Sequence, residues 1–437
     1  MTTLSEAGPL PATIGRFPLL TSEDWLAVWI GFLSIAAVLF GVRPELPAFA
    51  WATAGDLPGR VLGAHNLVNA LTIGAVLAVL SSACVRLMNG SSARFIIGFP
   101  ALYVLALLAQ VCAGSAAVVS WGFEYVIFAF LFGLLVSNFI GVPRWLKEAA
   151  QTEFYIKTGL VILGSSIVFG DLMQAGLLGI AQAVLVVTAV WFVCFRLAKR
   201  LHVDDELATM LASAVSICGV SAAIATCGAI QGDRKKLSYV TSLVLIVAAP
   251  MMVAMPLVIK AFGIPEVVGG AWLGGTLDTS ASVVAAGEML GASARNAGVV
   301  VKLSQNVLIG VAAFLITIWW AMRNRERAAG GPGVRVIWDR FPKFVLGFIV
   351  ASFIFSFLVD GAVVQDTQRL LTGLRTMWFA LAFTSIGLET RFTELVKAEN
   401  RRAALAFLGG QAFNVVWTLI LAYLLFGGML VAVPEFR

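Results

Sequence analysis

Charge is what this chain has least of. Asp, Glu, Lys and Arg make up 12% of its 437 residues, where a soluble domain carries about 25%. Histidine occurs twice, at His65 and His202, each at the edge of an apolar segment. The five cysteines (Cys84, Cys112, Cys194, Cys218, Cys227) are odd in number and sit inside apolar segments without metal-ligand spacing. Neither a disulfide framework nor a metal site is expected from them. No Walker motif is present, which excludes direct ATP coupling within the chain. No nucleophile–base pair or carboxylate cluster stands out, so an enzyme is not expected. No sizeable soluble stretch suggests a sensor or assembly protein. No basic region followed by a cleavage site opens the chain, so its first apolar run, 25–40, is expected to be retained as a span.

What is present is apolar length. Hydrophobic residues make up 60% of the chain and the mean hydropathy is +0.93. The charges fall between apolar runs of about 20 residues, the length that crosses a bilayer core. The chain therefore reads as an all-α polytopic membrane protein. Its net charge of +6 fits orientation signals in short loops and calls for no nucleic acid.

In order, a polar tail (1–23) precedes spans at 25–40, 66–87, 95–119 and 125–140. A polar segment (144–153) then suits the membrane surface. Further spans follow at 155–169 and 176–197. The stretch 207–230 is discontinuous, 237–262 is long and holds Pro250 and Pro256, and 266–290 is discontinuous again. Spans at 296–322, 344–359, 370–386 and 403–426 complete the chain.

The two discontinuous segments are related. With Gly219 placed on Asp278, Ser221 matches Ser280, Ala222 matches Ala281 and Gly228 matches Gly287. Each is interrupted by small and hydroxyl residues, at Ser216-Ile217-Cys218-Gly219 and at Gly274-Gly275-Thr276-Leu277-Asp278. A paired break in two apolar segments points to a transporter's binding site. The exposed N–H and C=O groups of a broken helix are tolerated at membrane depth only beside a cavity or inside protein. Small-residue helix packing is the plainer alternative.

Lys and Arg place the N-terminus and loops 86–94, 142–154, 196–206 and 323–343 on the cytoplasmic side, and the C-terminus on the periplasmic side. The basic loop 233–236 joins them only if 207–230 enters and returns. A second return at 266–290, from the other side, restores the count. The expectation is about eleven spans and two oppositely facing re-entrant segments; the alternative is two unwound crossing helices. A second internal match, Gly164-x4-Phe169-x-Asp171 with Gly387-x4-Phe392-x-Glu394, suits an inverted repeat.

Several strings together resemble a bacterial family of conserved membrane proteins named as sulfate exporters. They are Ser216-Ile217-Cys218-Gly219-Val220-Ser221-Ala222, Gly275-Thr276 with Val283-Val284-Ala285-Ala286-Gly287, and Asn296-Ala297 through Lys302. The resemblance covers roughly residues 120–430. It leaves 1–90 as an extension with two spans ahead of a transporter body, 91–437. It implies an anion exporter with a scaffold domain and a moving transport domain. The chain departs from the family pattern at three points. Asp278-Thr279 stands where members have His-Glu, Ser282 where they have Gln, and Gln305 where they have Arg. The site loses an imidazole and a guanidinium and keeps one carboxylate.

The chemistry expected of the site follows from the breaks. A helix N-terminus offers free N–H groups and roughly half a positive charge. Two such ends, at Val220-Ser221 and Thr279-Ser280, form an anion site without arginine. Ser216, Cys218, Gly219, Gly275, Thr276 and Ser282 complete its surroundings. Lys302 lies about two turns inside its span, roughly 9 Å deep. It is expected to face the cavity together with Gln305 and Asn306, or else to snorkel to the surface. Asp278 is read as the coupling-ion residue for Na⁺ or H⁺, or as a cap on the second half-helix. Glu288 reads as solvated, and Trp272, Trp319 and Trp320 as interfacial.

The function expected is a secondary active transporter for a small anion (sulfate, sulfite or a sulfonate). Cation-coupled carboxylate symport or an anion channel is the alternative. A channel would favour rings of one charge sign or a carbonyl filter, and neither is seen. The partners expected are the anion and the bilayer, with a homodimer left open, no nucleic acid and no cofactor.

Overall fold

The computed structural model describes residues 18–53, 55–88, 92–120, 124–323, 338–339, 341–390, 401–430 and 433. Most of the basic loop 323–343 lies outside them, as do the polar tail up to residue 17 and Phe392, Glu394 and Leu395 of the second internal match. The described residues form helices joined by short turns, with one isolated bridge between Trp51 and Ser115.

The first five long helices are α1 (Glu23–Leu39), α2 (Ala64–Leu87), α3 (Ser92–Ala113), α4 (Tyr125–Leu135) and α5 (Thr152–Gly164). A wider turn, Val136–Ile140, extends α4. Next come α6 (Phe169–Arg200), α7 (Asp205–Ser216), α8 (Val220–Ile230), α9 (Arg234–Ala261), α10 (Glu266–Thr276) and α11 (Ser280–Glu288). Then α12 (Ala292–Arg323), α13 (Lys343–Phe357), α14 (Gly361–Glu389) and α15 (Arg401–Phe426) follow. Short polar caps begin several of them. Ser22, Asp204, Asp233 and Asp360 each accept a first-turn N–H, satisfying a donor that the helix itself leaves free.

Seven helices are long and apolar enough to cross a membrane by length and composition: α2, α3, α9, α14, α15 and most of α6 and α12. The four other expected spans are shorter, α1 with 17 residues, α4, α5 with 13 and α13 with 15. In α5 every residue but Glu153 and Lys157 is buried, which is how a helix enclosed by its neighbours packs.

The helices form two bundles. α1–α5 pack with α13 and α14; α6–α12 pack with α15. Within the described part of the stretch 1–90, α1 lies against α5 and α13. Glycines set the closest approaches. A Cβ on Gly133 would lie 2.2 Å from the Thr384 carbonyl oxygen, and one on Gly387 would lie 2.3 Å from that of Phe130, so α4 and α14 touch through backbone. Between bundles the contacts are sparse, chiefly α13 on α6, α9 and α11 on α14, and α11 on α5.

Both discontinuous segments double back. Lys236, at the start of α9, pairs with Asp204 at 2.6 Å and Glu206 at 3.2 Å, at the start of α7. The α7–α8 pair therefore returns to the end from which it left. In the second segment a Cβ on Gly270 would meet Ala294, and one on Gly274 would meet Gly298. Hence α10 runs parallel to the first half of α12, and α11 must run back between them. Gly291 accordingly lies beside Glu266. The two hairpins are joined by α9, whose 28 residues span about 42 Å, so they open at opposite ends of the bundle.

Two readings of the sequence need correction. Glu288 is not solvated: it pairs with Arg295 at 3.3 Å, within its own bundle, and lies 3.9 Å from Arg375 of the other. Trp272 is not interfacial. It is 4% exposed and donates its indole N–H to the Val415 carbonyl at 2.8 Å, because α10 is enclosed by α12 and α15.

Candidate functional site

The hairpin tips meet. Gly219 has φ +62° and ψ −111°, a left-handed conformation that glycine adopts without strain. A Cβ there would lie 2.6 Å from Val244 and 3.2 Å from the Cβ of Asp278. The second tip turns through extended backbone at Leu277 (ψ 135°) and Thr279 (ψ 147°). Gly219 and Asp278, the two positions superimposed in the sequence comparison, are thus in contact at the centre of the fold.

Each tip has two sides. On one side, α7 and α10 end and leave carbonyls free. Side-chain donors close them. Lys302 donates to the carbonyls of Ile217 and Leu277, both at 2.7 Å, and to Gln305 Oε1 at 2.9 Å. Gln305 donates to Gly275 O at 3.1 Å. Gln411 and Asn414 of α15 donate to Thr276 O at 3.0 and 3.3 Å, and Asn414 also reaches Val215 O. Gln182 of α6 donates to Ala271 O. A cation is favoured at these carbonyl ends by the helix dipole. Lys302 is 2% exposed with all three ammonium protons taken by protein. It neither faces the cavity nor snorkels, and no donor is left on it for an anion.

On the other side, α8 and α11 begin. Thr279 caps α11: its Oγ1 accepts from Ser282 N at 3.0 Å and shares a 2.7 Å bond with the Ser282 hydroxyl. The cap is therefore Thr279 and not Asp278. The N–H groups of Val220, Ser221, Ser280 and Ala281 take part in none of the backbone bonds formed outside the helices. Asn306 donates to Ser280 Oγ at 2.9 Å.

These helix starts line a cavity of about 1040 Å³ between the bundles. Cys218, Val220, Ser221, Thr279, Ser280 and Asn306 form one wall. Glu23, Asp24, Glu153, Lys157, Trp338, Asp339 and residues 341–344 are on the other. A smaller pocket of about 260 Å³ continues it past Ser282 to Glu389. Lys157 gathers three carboxylates, Glu23 at 2.5 Å, Asp24 at 2.9 Å and Glu153 at 3.6 Å.

The candidate residues thus divide into two layers. Cys218, Val220, Ser221, Thr279, Ser280, Ser282 and Asn306 face open space. Ser216, Gly275, Thr276, Lys302 and Gln305 lie behind the tips, with Gly219 and Asp278 between. Asp278 is 2% exposed, neither of its oxygens has a hydrogen-bond partner, and no ion pair joins it to Lys302. The sequence reading missed Gln182, Gln411, Asn414 and the Lys157 cluster. Gln411 and Asn414, three residues apart in an apolar span, were the available signal.

Over residues 97–406 the chain matches the family described as Conserved hypothetical protein 698. It belongs to that family. It is 40% identical to a UPF0324 membrane protein of Rhodopirellula baltica, over 82% of this chain and 67% of the relative. It is 38% identical to a UPF0324 membrane protein of Nitratidesulfovibrio vulgaris, over 78% of this chain. The chain spans 61% of that relative's length. The UPF0324 inner membrane protein YeiH of Salmonella typhimurium is 28% identical over 69% of this chain and 88% of its own. No solved structure matches the chain. This member of the family is a multi-pass, all-α membrane protein. Both hairpins and all the tip residues fall within the matched region.

Proposed function

We propose that the chain is a secondary transporter of a small anion in the bacterial inner membrane, the location given in the name of the Salmonella relative. One observation carries this reading. Two half-helix N-termini from oppositely facing hairpins share one wall of a cavity between two sparsely joined bundles, while the carbonyls of Val215, Ile217, Gly275, Thr276 and Leu277 behind them are closed by side-chain donors. Backbone N–H groups and two helix dipoles then meet the anion without a guanidinium. Sulfate, sulfite, sulfonates and small carboxylates are the candidates.

The opposite wall argues for coupling. Among the described residues, four carboxylates (Glu23, Asp24, Glu153, Asp339) and two ammonium groups (Lys157, Lys343) line it. Such a surplus of negative charge opposes entry of a bare dianion, which favours cation-coupled transport over an open anion pore. The end bearing the cavity mouth also carries most of the described Lys and Arg, including Arg144, Lys147, Arg196, Lys199, Arg200, Lys235 and Lys236. The other end has Arg43, Arg60, Lys260 and Arg369. That asymmetry makes the cavity end cytoplasmic.

Flux in proteoliposomes, with a panel of oxyanions and with Na⁺ and pH gradients imposed separately, tests the reading. The expected result is saturable flux of one oxyanion class that Gly219→Leu abolishes, since a side chain there would run into Val244 and Asp278 and force the two tips apart. Absence of flux for every anion, in protein shown to be folded, would overturn it.

A further inference from the structure

Behind the second hairpin tip the unpartnered buried atoms are all oxygens. Asp278 Oδ1 and Oδ2, Thr276 Oγ1 and Gln411 Oε1 have no hydrogen-bond partner, and their residues are 2%, 1% and 3% exposed in turn. They belong together. Gln411 Nε2 donates to Thr276 O at 3.0 Å, and Asp278 follows Thr276 by two residues in the extended tip. Gln182, whose Oε1 is also unpartnered, touches the same strip, since a Cβ on Gly275 would lie 2.7 Å from its Nε2. The orphan side-chain nitrogens among the described residues, on Trp320 and Arg375, belong to other parts of the fold.

Buried acceptors are normally paired. A group of acceptors without donors, one of them a carboxylate, is completed by a cation. Among the described residues the nearby cation is Lys302, which has its three protons on Ile217, Leu277 and Gln305 and has none left to donate. We infer that Asp278, Thr276 Oγ1 and Gln411 Oε1 form a binding site for a monovalent cation, with Na⁺ as the occupant. Neutral oxygens and a carboxylate suit a hard cation. A single carboxylate beside Lys302 suits one positive charge and not two.

The site has a consequence that rests on the anion reading above. Asp278 and Lys302 together carry no net charge. A bound Na⁺ makes the tip positive by one unit next to the N-termini of α8 and α11, where the anion would sit. Na⁺ and anion then raise one another's affinity by the same factor.

The test is thermal unfolding of the purified full chain at fixed pH, titrated with NaCl against choline chloride at constant chloride and with no oxyanion present. The expected result is a saturable, Na⁺-specific rise in Tm, about 1–2 °C per tenfold Na⁺ above half-saturation for a chain of this size. Asp278→Asn should abolish it. Thr276→Val keeps side-chain volume, and should raise the half-saturating Na⁺ about tenfold; it carries the test if Asp278→Asn fails to fold. Equal curves in Na⁺ and choline would overturn the site, as would a Na⁺ effect undiminished in both variants. Repeated at several fixed pH values, a Tm that moves with pH and shows no Na⁺ effect at any of them would also overturn it and assign Asp278 to a proton. Because no transported anion is present, failure here is separate from failure of the flux assay.

Discussion

Lys302 is a strut between the two hairpins. It ties a carbonyl of one tip to one of the other from a buried position. Lys302→Met leaves the Ile217 and Leu277 oxygens without donors. Each unsatisfied buried acceptor costs about 1–3 kcal/mol, so the expected loss is roughly 2–5 kcal/mol, read as a lower Tm in detergent. A variant as stable as the parent would show that the ammonium is not holding the tips. Ser221→Ala, by contrast, removes a hydroxyl at the cavity wall; it should leave Tm nearly unchanged and cost about 0.5–1.5 kcal/mol of anion affinity, measured by titration, whereas Ser280→Ala also takes the acceptor from the buried Asn306 amide and should lower Tm as well. The sequence shows that Lys302 and the polar run after it sit too deep for lipid. It does not show which end of which half-helix they serve. That depends on how α12 is aligned along α10, which Gly270 and Gly274 fix by backbone contact with Ala294 and Gly298. Gln411 and Asn414 escaped notice for a related reason: amides in an apolar span are also the ordinary means of interhelical hydrogen bonding, and their spacing alone does not say which carbonyls they meet.

At the level of elements, the hairpins were legible because their charges are. Requiring the 233–236 loop to share a side with 196–206 predicts the return of α7–α8, and the Lys236 pair with Asp204 and Glu206 is that requirement met in space. The matched breaks were legible too, since superposing Gly219 on Asp278 finds the residues that touch. The division into two bundles was not. α15 lies far along the chain from α6 and α10, and its burial against them rests on side-chain fit without a periodic signature. The parallel packing of α10 on α12 should be the least tolerant part of the second hairpin. A Cβ on Gly270 would lie 2.1 Å from the Ala294 oxygen, a backbone atom that cannot swing aside. Gly270→Val is expected to cost about 1–3 kcal/mol or more through overpacking. Gly176→Ala serves as the control, because nothing lies within 4 Å of a Cβ there; equal unfolding midpoints for the two variants would refute the backbone-contact argument.

For the whole molecule, the cavity and the charge pairs describe one state. Its mouth lies at the end where Asp24 accepts from Lys343 N and where Trp338 and Phe341 stand. At the opposite end the bundles are closed, and there Arg375 of α14 lies 3.9 Å from Glu288 of α11. Arg375 is 4% exposed, so this pair is shielded from solvent screening. Ile224, 41% exposed on the cavity wall, is a suitable reporter. In a background without the five native cysteines, Ile224→Cys should react with an impermeant maleimide in inverted vesicles and far less in right-side-out ones. Arg375→Met removes the tie between bundles but leaves Glu288 its partner Arg295 at 3.3 Å, so no carboxylate is stranded. If the tie contributes about 1 kcal/mol, its loss shifts the balance toward the oppositely open state about fivefold. Labelling of Ile224→Cys in right-side-out vesicles should rise by that factor while labelling in inverted vesicles falls. An unchanged ratio would mean that the Arg375–Glu288 pair does not hold the cavity to one side, and reaction only in right-side-out vesicles would reverse the orientation assigned from the Lys and Arg distribution.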